Sequence, residues 1–265
     1  MQKRVRKWLE EEVVDVFVAY IEQKGHILPH VFSPDSLEEC ALLHPGLQRY
    51  PLEEIALELA EEDPELRIGI LARECTKRSL NVLSTWNQLD QGQLIPMEVS
   101  CCPSLLQEHA RCSYLNPDQP GELKTLYGLD PNACTQEVEA LEQEELYSHW
   151  TYEFSKCIKC YGCRDICPLC FCRECSLEHT DLVHTGEMLT EVPIFHLVRA
   201  VHMAGRCIDC GLCEEACPVN IPLRLLYRKV NEIIVKTFDY YTGTDMETAP
   251  LNILGQEIAC QANPL

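Results

Sequence analysis

The run Cys157-x2-Cys160-x2-Cys163-x3-Cys167-Pro168 recurs as Cys207-x2-Cys210-x2-Cys213-x3-Cys217-Pro218. This duplication constrains the fold more than any other feature of the 265-residue chain. Three thiolates separated by two residues can line one loop and hold three corners of a cube. The fourth corner has to come from elsewhere, and the fourth cysteine of each run, at a helical turn beside its proline, supplies it to the other cube. The pattern therefore predicts two half-modules that exchange ligands. Site A takes Cys157, Cys160, Cys163 and Cys217; site B takes Cys207, Cys210, Cys213 and Cys167.

This spacing is similar to the ligand run of bacterial ferredoxins, so two [4Fe–4S] clusters are expected. Zinc sites read instead as paired Cys-x2-Cys with a wider gap between pairs. Disulfides need an oxidising compartment. The basic opening from Met1 to Lys7 leads into Trp8-Leu9-Glu10-Glu11-Glu12 rather than the apolar core of a signal peptide, so a cytoplasmic location is expected. Eighteen cysteines in such a chain then point to metal or redox chemistry. The formal charge of −20 repels phosphate backbones and anionic membrane surfaces, and cluster-bound thiolates deepen it. Nucleic acid is thereby disfavoured, and a protein partner with a basic docking face is favoured. No stretch reaches the roughly 18 apolar residues of a membrane span.

The fold class expected combines α/β and α+β parts. Residues 1–112 read as a small α/β domain, 113–150 as a linker or helical subdomain, 151–240 as a dicluster ferredoxin-like domain and 241–265 as a tail. A short basic helix precedes a strand over Glu11 to Tyr20. Pro51 to Ala60 reads as an amphipathic helix, Leu66 to Ala72 as a strand, Glu74 to Leu89 as a helix, and Leu94 to Ser100 as a strand weakened by Pro96. The last three form a βαβ unit. Turn signals at Asn116 to Gly121 and Asp130-Pro131-Asn132 mark the linker, followed by an acidic helix over Gln136 to His149 whose charges read as a solvated face. A long insert, Pro168 to Arg206, separates the two cysteine runs and carries a helix from Pro193 to Gly205. A final helix, Leu223 to Phe238, is expected to bury Leu225, Leu226, Val230, Ile233 and Ile234.

The cysteines outside the two runs form two sets and three singles. Cys75 opens the helix after one parallel strand, where a helix N-terminus favours thiolate, and Cys101 and Cys102 follow the next strand. Cys170, Cys172 and Cys175 follow the first run directly. A third cluster built across the domains is expected from Cys75, Cys101 or Cys102, Cys172 and Cys175, with Cys170 and Cys112 as alternates. A zinc clamp joining the domains and unligated thiols are the other readings of these residues. The pair Cys101-Cys102 is also reminiscent of non-cuboidal cluster sites, although Pro103 stands where such sites have glycine. Cys40, Cys134 and Cys260 read as ordinary isolated residues. His196, His202, Arg199 and Arg206 lie on the helix entering the second cluster loop. They either raise a cluster potential or form the polar face of a surface helix. No Gly-x-Gly-x2-Gly or Gly-x4-Gly-Lys is present, and no catalytic constellation is visible, so no catalytic residue is assigned.

The stretch Arg67 to Leu80 with its Cys75-Thr76-Lys77-Arg78-Ser79, the pair Asn87-Gln88, and Met97-Glu98-Val99-Ser100-Cys101 resemble the N-terminal half of coenzyme F420 hydrogenase/dehydrogenase and formate dehydrogenase beta subunits. Cys157 to Arg164, Cys167-Pro168-Leu169-Cys170-Phe171-Cys172-Arg173-Glu174-Cys175, and His202 to Cys207 resemble their iron–sulfur half. Longer members with flavin and F420 sites have a large domain where this chain has only residues 113–150, so the resemblance implies a short form with no flavin expected. It implies a cytoplasmic subunit that relays electrons between a formate dehydrogenase or hydrogenase-like catalytic subunit and a larger complex, such as a heterodisulfide-reductase-like assembly. A flavin-dependent F420-type oxidoreductase, and a structural or assembly module with a non-redox metal site, are the alternatives. The electron source (formate, hydrogen or an aldehyde) stays open.

Overall fold

The computed structural model describes residues 1–46, 50–99, 138, 140–179, 192–246 and 249–251. Helix α1 (Gln2–Glu10) buries Val5 and Leu9, one turn apart, and pairs Arg6 with Glu10 at 2.8 Å. Strand β1 (Val16–Gln23) is buried from Phe17 to Ile21 because it is paired on both edges. The antiparallel strand β2 (His26–Phe32) lies on one side, and the two-residue strand β3 (Leu43–His44) pairs with the end of β1. The β1–β2 hairpin is absent from the sequence reading. Its signal is Lys24-Gly25, both at positive φ (53° and 79°), which is the backbone of a two-residue primed turn. The outer position of β2 accommodates Pro29, opposite Tyr20.

After α2 (Leu52–Glu62), strand β4 (Ile68–Ala72) returns parallel to β1. Helix α3 (Glu74–Thr85) then leads to β5 (Leu94–Glu98), parallel to β4 in the register Ile68↔Leu94 to Ala72↔Glu98. The βαβ unit expected from sequence is thus present, and Pro96 is tolerated on the last strand of the order β2-β1-β4-β5. Gly69 in β4 leaves room for Phe17: a Cβ there would lie 2.3 Å from the ring. The first strand begins later than expected, because Glu11 to Asp15 form the turn out of α1 and Asp15 instead accepts from the backbone and side chain of Arg67.

The C-terminal half consists of α4 (Gln143–Ser155), the one-turn α5 (Gly162–Asp165), α6 (Val192–His202), the one-turn α7 (Leu212–Glu215) and α8 (Leu223–Phe238). Helix α4 lies further along the chain than the predicted Gln136 to His149, because its packing residues are Trp150 and Phe154. Phe154 is stacked on His196 of α6, with ring centroids 4.8 Å apart. Helix α8 has the expected bounds but a different buried face. Leu223, Arg224, Tyr227 and Ile234 are buried, whereas Ile233 is exposed. The reason is polar: Arg224 and Arg228 reach Asp209 at 2.7 and 3.0 Å, and Asn231 donates to the Cys207 carbonyl at 2.9 Å. That row turns the helix away from its purely apolar stripe.

A continuous apolar core runs from Phe17 and Ile70 in the sheet to Leu169, Ile208 and Tyr227 in the cysteine-rich half. Helix α3 is the seam. Buried Arg78 donates to the carbonyls of Ile208 and Thr242, and Asn81 donates to that of Gly243 at 3.1 Å. Tyr240, Thr242 and Ala249, beyond or at the edge of the expected 151–240 domain, are buried. At Gly243, with φ +73°, a Cβ would meet the Arg78 carbonyl oxygen at 2.6 Å. Gly243→Ala is expected to destabilise the protein by about 1–3 kcal/mol more than Gly25→Ala, which carries only left-handed strain of about 1–2 kcal/mol. Denaturant unfolding of both variants under anaerobic conditions checks this, and equal losses would mean that the α3 seam does not hold this segment.

Candidate metal centres

The two cysteine runs fold into the same local shape. The third residue of each run, Lys159 or Asp209, has positive φ (51° and 55°). Its backbone N–H donates to the first thiol of its run, Lys159 to Cys157 at 3.3 Å and Asp209 to Cys207 at 3.4 Å. The residue after the second cysteine is again left-handed, Tyr161 at 59° and Gly211 at 83°, and caps α5 or α7. Left-handed non-glycine residues each cost on the order of 1 kcal/mol, so their recurrence at matching positions marks a loop shape imposed by the thiols. A further amide, that of Ile221, points at the Cys217 sulfur at 3.4 Å.

Cysteines of the two runs come together in space. One cavity is lined by Cys167 together with Cys207, Cys210 and Cys213, closed by Leu169, Ile208 and Tyr227. Cys157, Cys160, Cys163 and Cys217 form the other set, near enough for Cys163 to feel the charges of the other three. Burial, and then these neighbours, push the Cys163 thiol up to about 11, against the lowering influence of Arg199. Burial, Asp209 and Cys210 push Cys207 up to about 12. Thiols so placed carry thiolate charge when a metal takes the place of the proton. Among the described residues no three Cys, His, Asp or Glu side chains close around a single ion. The donor set is thiol throughout, which fits iron–sulfur ligation.

Arg199 and His196, left open in the sequence between cluster neighbours and a surface face, are 2% and 1% exposed. Arg199 donates to the Cys163 carbonyl at 2.5 Å and lies against Tyr227, while its Nε and Nη1 have no partner among the described residues. Burial opposes its charge, but Tyr227, Cys167, Cys170 and Cys163 hold its pKa above the ordinary arginine value. Two buried N–H donors without acceptors, set among thiols, fit sulfur atoms of a cluster as their missing partners. His202 is exposed.

Among the described residues, Cys75 and the set Cys170, Cys172 and Cys175 line different pockets. Cys75 does open α3, but it lines a cavity with Cys210, Pro168 and Ile208. Cys170, Cys172 and Cys175 line a different pocket, with Arg164, Arg199 and Arg206. Cys101, Cys102 and Cys112, with Cys134 and Cys260, lie outside the described residues; Cys40 is buried and isolated from both cysteine sets. Sequence reasoning passed over Arg78, Arg164 and Asp209. Two matching positions, Lys159 against Asp209 and Arg164 against Glu214, show that the two loops carry unlike charges.

Fold and site together define an iron–sulfur protein. Residues 200–222 match the 4Fe-4S binding domain family. Over 102 residues the chain is 44% identical to the F420-dependent formate dehydrogenase subunit beta of Methanocaldococcus jannaschii, a match covering 38% of this chain and 27% of the relative. Over 110 residues it is 46% identical to the F420-dependent formate dehydrogenase 1 subunit beta of Methanococcus maripaludis, covering 40% and 28%. The matched stretch is similar to these formate dehydrogenase beta subunits, in line with the resemblance read from the sequence. It spans little more than a quarter of these relatives' length. No helix among the described residues is long and apolar enough to cross a membrane.

His196 gives this region a pH signature. Both ring nitrogens lack partners among the described residues, and burial, with Arg199 nearby, lowers its pKa to about 4. The unfolded chain takes up this proton near pH 6.5 and the folded chain only near pH 4, so stability falls as pH drops through that window and levels off below it. The span corresponds to about 3 kcal/mol at most. His196→Phe keeps the stack on Phe154 without a titratable ring. It is expected to remove this component from a stability–pH profile measured by denaturant midpoints, and a variant profile parallel to that of the parent would refute the assignment.

Proposed function

We propose that this chain is a cytoplasmic iron–sulfur electron-transfer subunit that holds two [4Fe–4S] clusters. Cys157, Cys160, Cys163 and Cys217 bind one, and Cys207, Cys210, Cys213 and Cys167 bind the other. The observation that carries the reading is the cavity lined jointly by Cys167 and the three thiols of the second run. When bound, the clusters supply one-electron transfer, and charge, hydrogen bonds and burial set their potentials. The chain's own part is positional. The amides of Lys159 and Asp209 hold the leading thiol of each run, and Tyr227 and Leu169 keep the second site apolar. Arg199, donating to the Cys163 carbonyl beside the cavity of the second site, ties the two sites together.

Its partners are redox subunits. The two relatives named as formate dehydrogenase beta subunits favour formate oxidation by a catalytic subunit as the source of electrons. A larger acceptor complex of the heterodisulfide-reductase type is the proposed sink, with a basic docking face to meet a chain of charge −20. No catalytic residue and no flavin are assigned to the chain itself.

Ligand exchange has a specific test. In anaerobically purified protein, Cys167→Ser is expected to remove the same EPR signal as Cys213→Ser, and Cys217→Ser the same signal as Cys163→Ser. Each substitution should lower iron content by about four atoms where the cluster is lost. If Cys167→Ser instead abolishes the signal that Cys163→Ser abolishes, each run holds its own cluster and the cross-ligated reading fails.

A further inference from the structure

Directly after the first cysteine run, residues 170–175 place three more thiols around one surface pocket. Each of the three faces a guanidinium. Arg199 acts on Cys170, the Arg206 Nη1 lies 3.8 Å from the Cys172 sulfur, and Arg164 hydrogen-bonds Cys175. These cations are held by structure. Arg206 sits between the rings of Trp86 and Phe171, at 3.8 and 4.5 Å from their centroids, and Arg164 is braced by Asp165 and Glu178. Arg199 borders both this pocket and the cavity containing Cys167, with two buried nitrogens that lack partners among the described residues.

Three thiols share this pocket, each facing an arginine, and Arg199 brings two buried nitrogens that lack partners among the described residues. Glu54, Asp165, Glu174 and Glu178 also line it, so the thiols and the unpartnered guanidinium, not a net positive charge, define the occupant. The donors are thiols throughout and share one pocket, a donor set that suits an iron–sulfur group. We infer that Cys170, Cys172 and Cys175 bind a third iron–sulfur cluster through three thiolates, with Arg164, Arg199 and Arg206 balancing its charge. The inference extends the two-cluster reading with a separate set of ligands. It replaces the cross-domain set predicted from sequence, because Cys75 opens into another cavity. The N-terminal domain contributes Trp86, which stacks on Arg206, rather than a ligand from α3. Arg199, bordering both cavities, makes the second ferredoxin-type site the neighbouring electron carrier.

The test uses the full chain, purified anaerobically, with iron and sulfide analysis, zinc analysis and EPR on reductive titration. Cys172 is exposed and Cys175 half-buried at the edge of the small Leu177–Phe195 cluster, so Cys172→Ser/Cys175→Ser disturbs only that edge and not the main core. This double variant is expected to lose about three to four iron atoms per chain and one EPR signal, and to keep the two signals assigned by the Cys163 and Cys213 variants. Cys75→Ser is expected to lose none. Arg206→Gln leaves every thiol in place and should lower the midpoint potential of only the signal that the double variant removes. Unchanged iron in the double variant, loss of zinc instead of iron, or an equal shift of all signals in Arg206→Gln would overturn the proposal. Loss of no iron in Cys157→Ser and Cys207→Ser would count against the two-cluster reading alone.

Discussion

The buried guanidinium of Arg199 is the interaction on which the cysteine-rich half depends. One permanent positive charge, 2% exposed, opposes the burial that raises the thiol pKa at Cys163, Cys167, Cys170, Cys207 and Cys213. Isolated in an apolar interior such a charge would be costly, and in the same interior so would a set of thiolates. Each makes the other tolerable. Helix α6 is therefore placed by electrostatics as much as by packing, with Phe195 and Ala200 filling the core and Arg199 reaching between the two cysteine loops.

The α/β half serves this centre through α3. Arg78 is buried at the seam, donating to the carbonyl of Ile208, the residue after Cys207. Burial lowers its pKa to about 10, opposed by Asp209, Cys207 and Cys75, so the helix brings a cation to the flank of the second loop. One turn from its end, Trp86 supplies the ring on which Arg206 rests. A parallel βαβ unit, usually a cradle for a nucleotide, here presents cations and an aromatic face to a metal-binding loop.

Much of this was legible because the determinants are local. The duplicated cysteine spacing dictates two equivalent loops, and both fold alike down to the left-handed residues at Lys159, Tyr161, Asp209 and Gly211. The βαβ unit was readable from apolar runs of the right length. The β1–β2 hairpin was missed because Lys24-Gly25 is a weak turn signal and the following strand contains Pro29. The buried face of α8 was misjudged because hydrophobic periodicity cannot register Arg224 and Arg228 turning inward to Asp209. Cys75 was placed rightly at the start of a helix, but which cavity it enters depends on how that helix docks on residues 208–212, a long-range matter. The same holds for Arg164, whose importance appears only when residues 170–175 fold back over it.

Sequence separation between Cys167 and the loop it joins bears on how such a protein is made. Thirty-nine residues lie between Cys167 and the first thiol of the second run, Cys207, yet they share one cavity. On the proposed ligand exchange, neither cage can be closed until the chain has been extended past both runs, so a nascent N-terminal portion has only open, three-thiol loops to offer. Metal insertion is thereby tied to completion of the helix that follows, whose Arg224, Arg228 and Asn231 lock the second loop. Under that proposal, interleaved ligands act as a checkpoint in biogenesis: a truncated product is left with incompletely ligated thiols, and only the extended chain can close both centres.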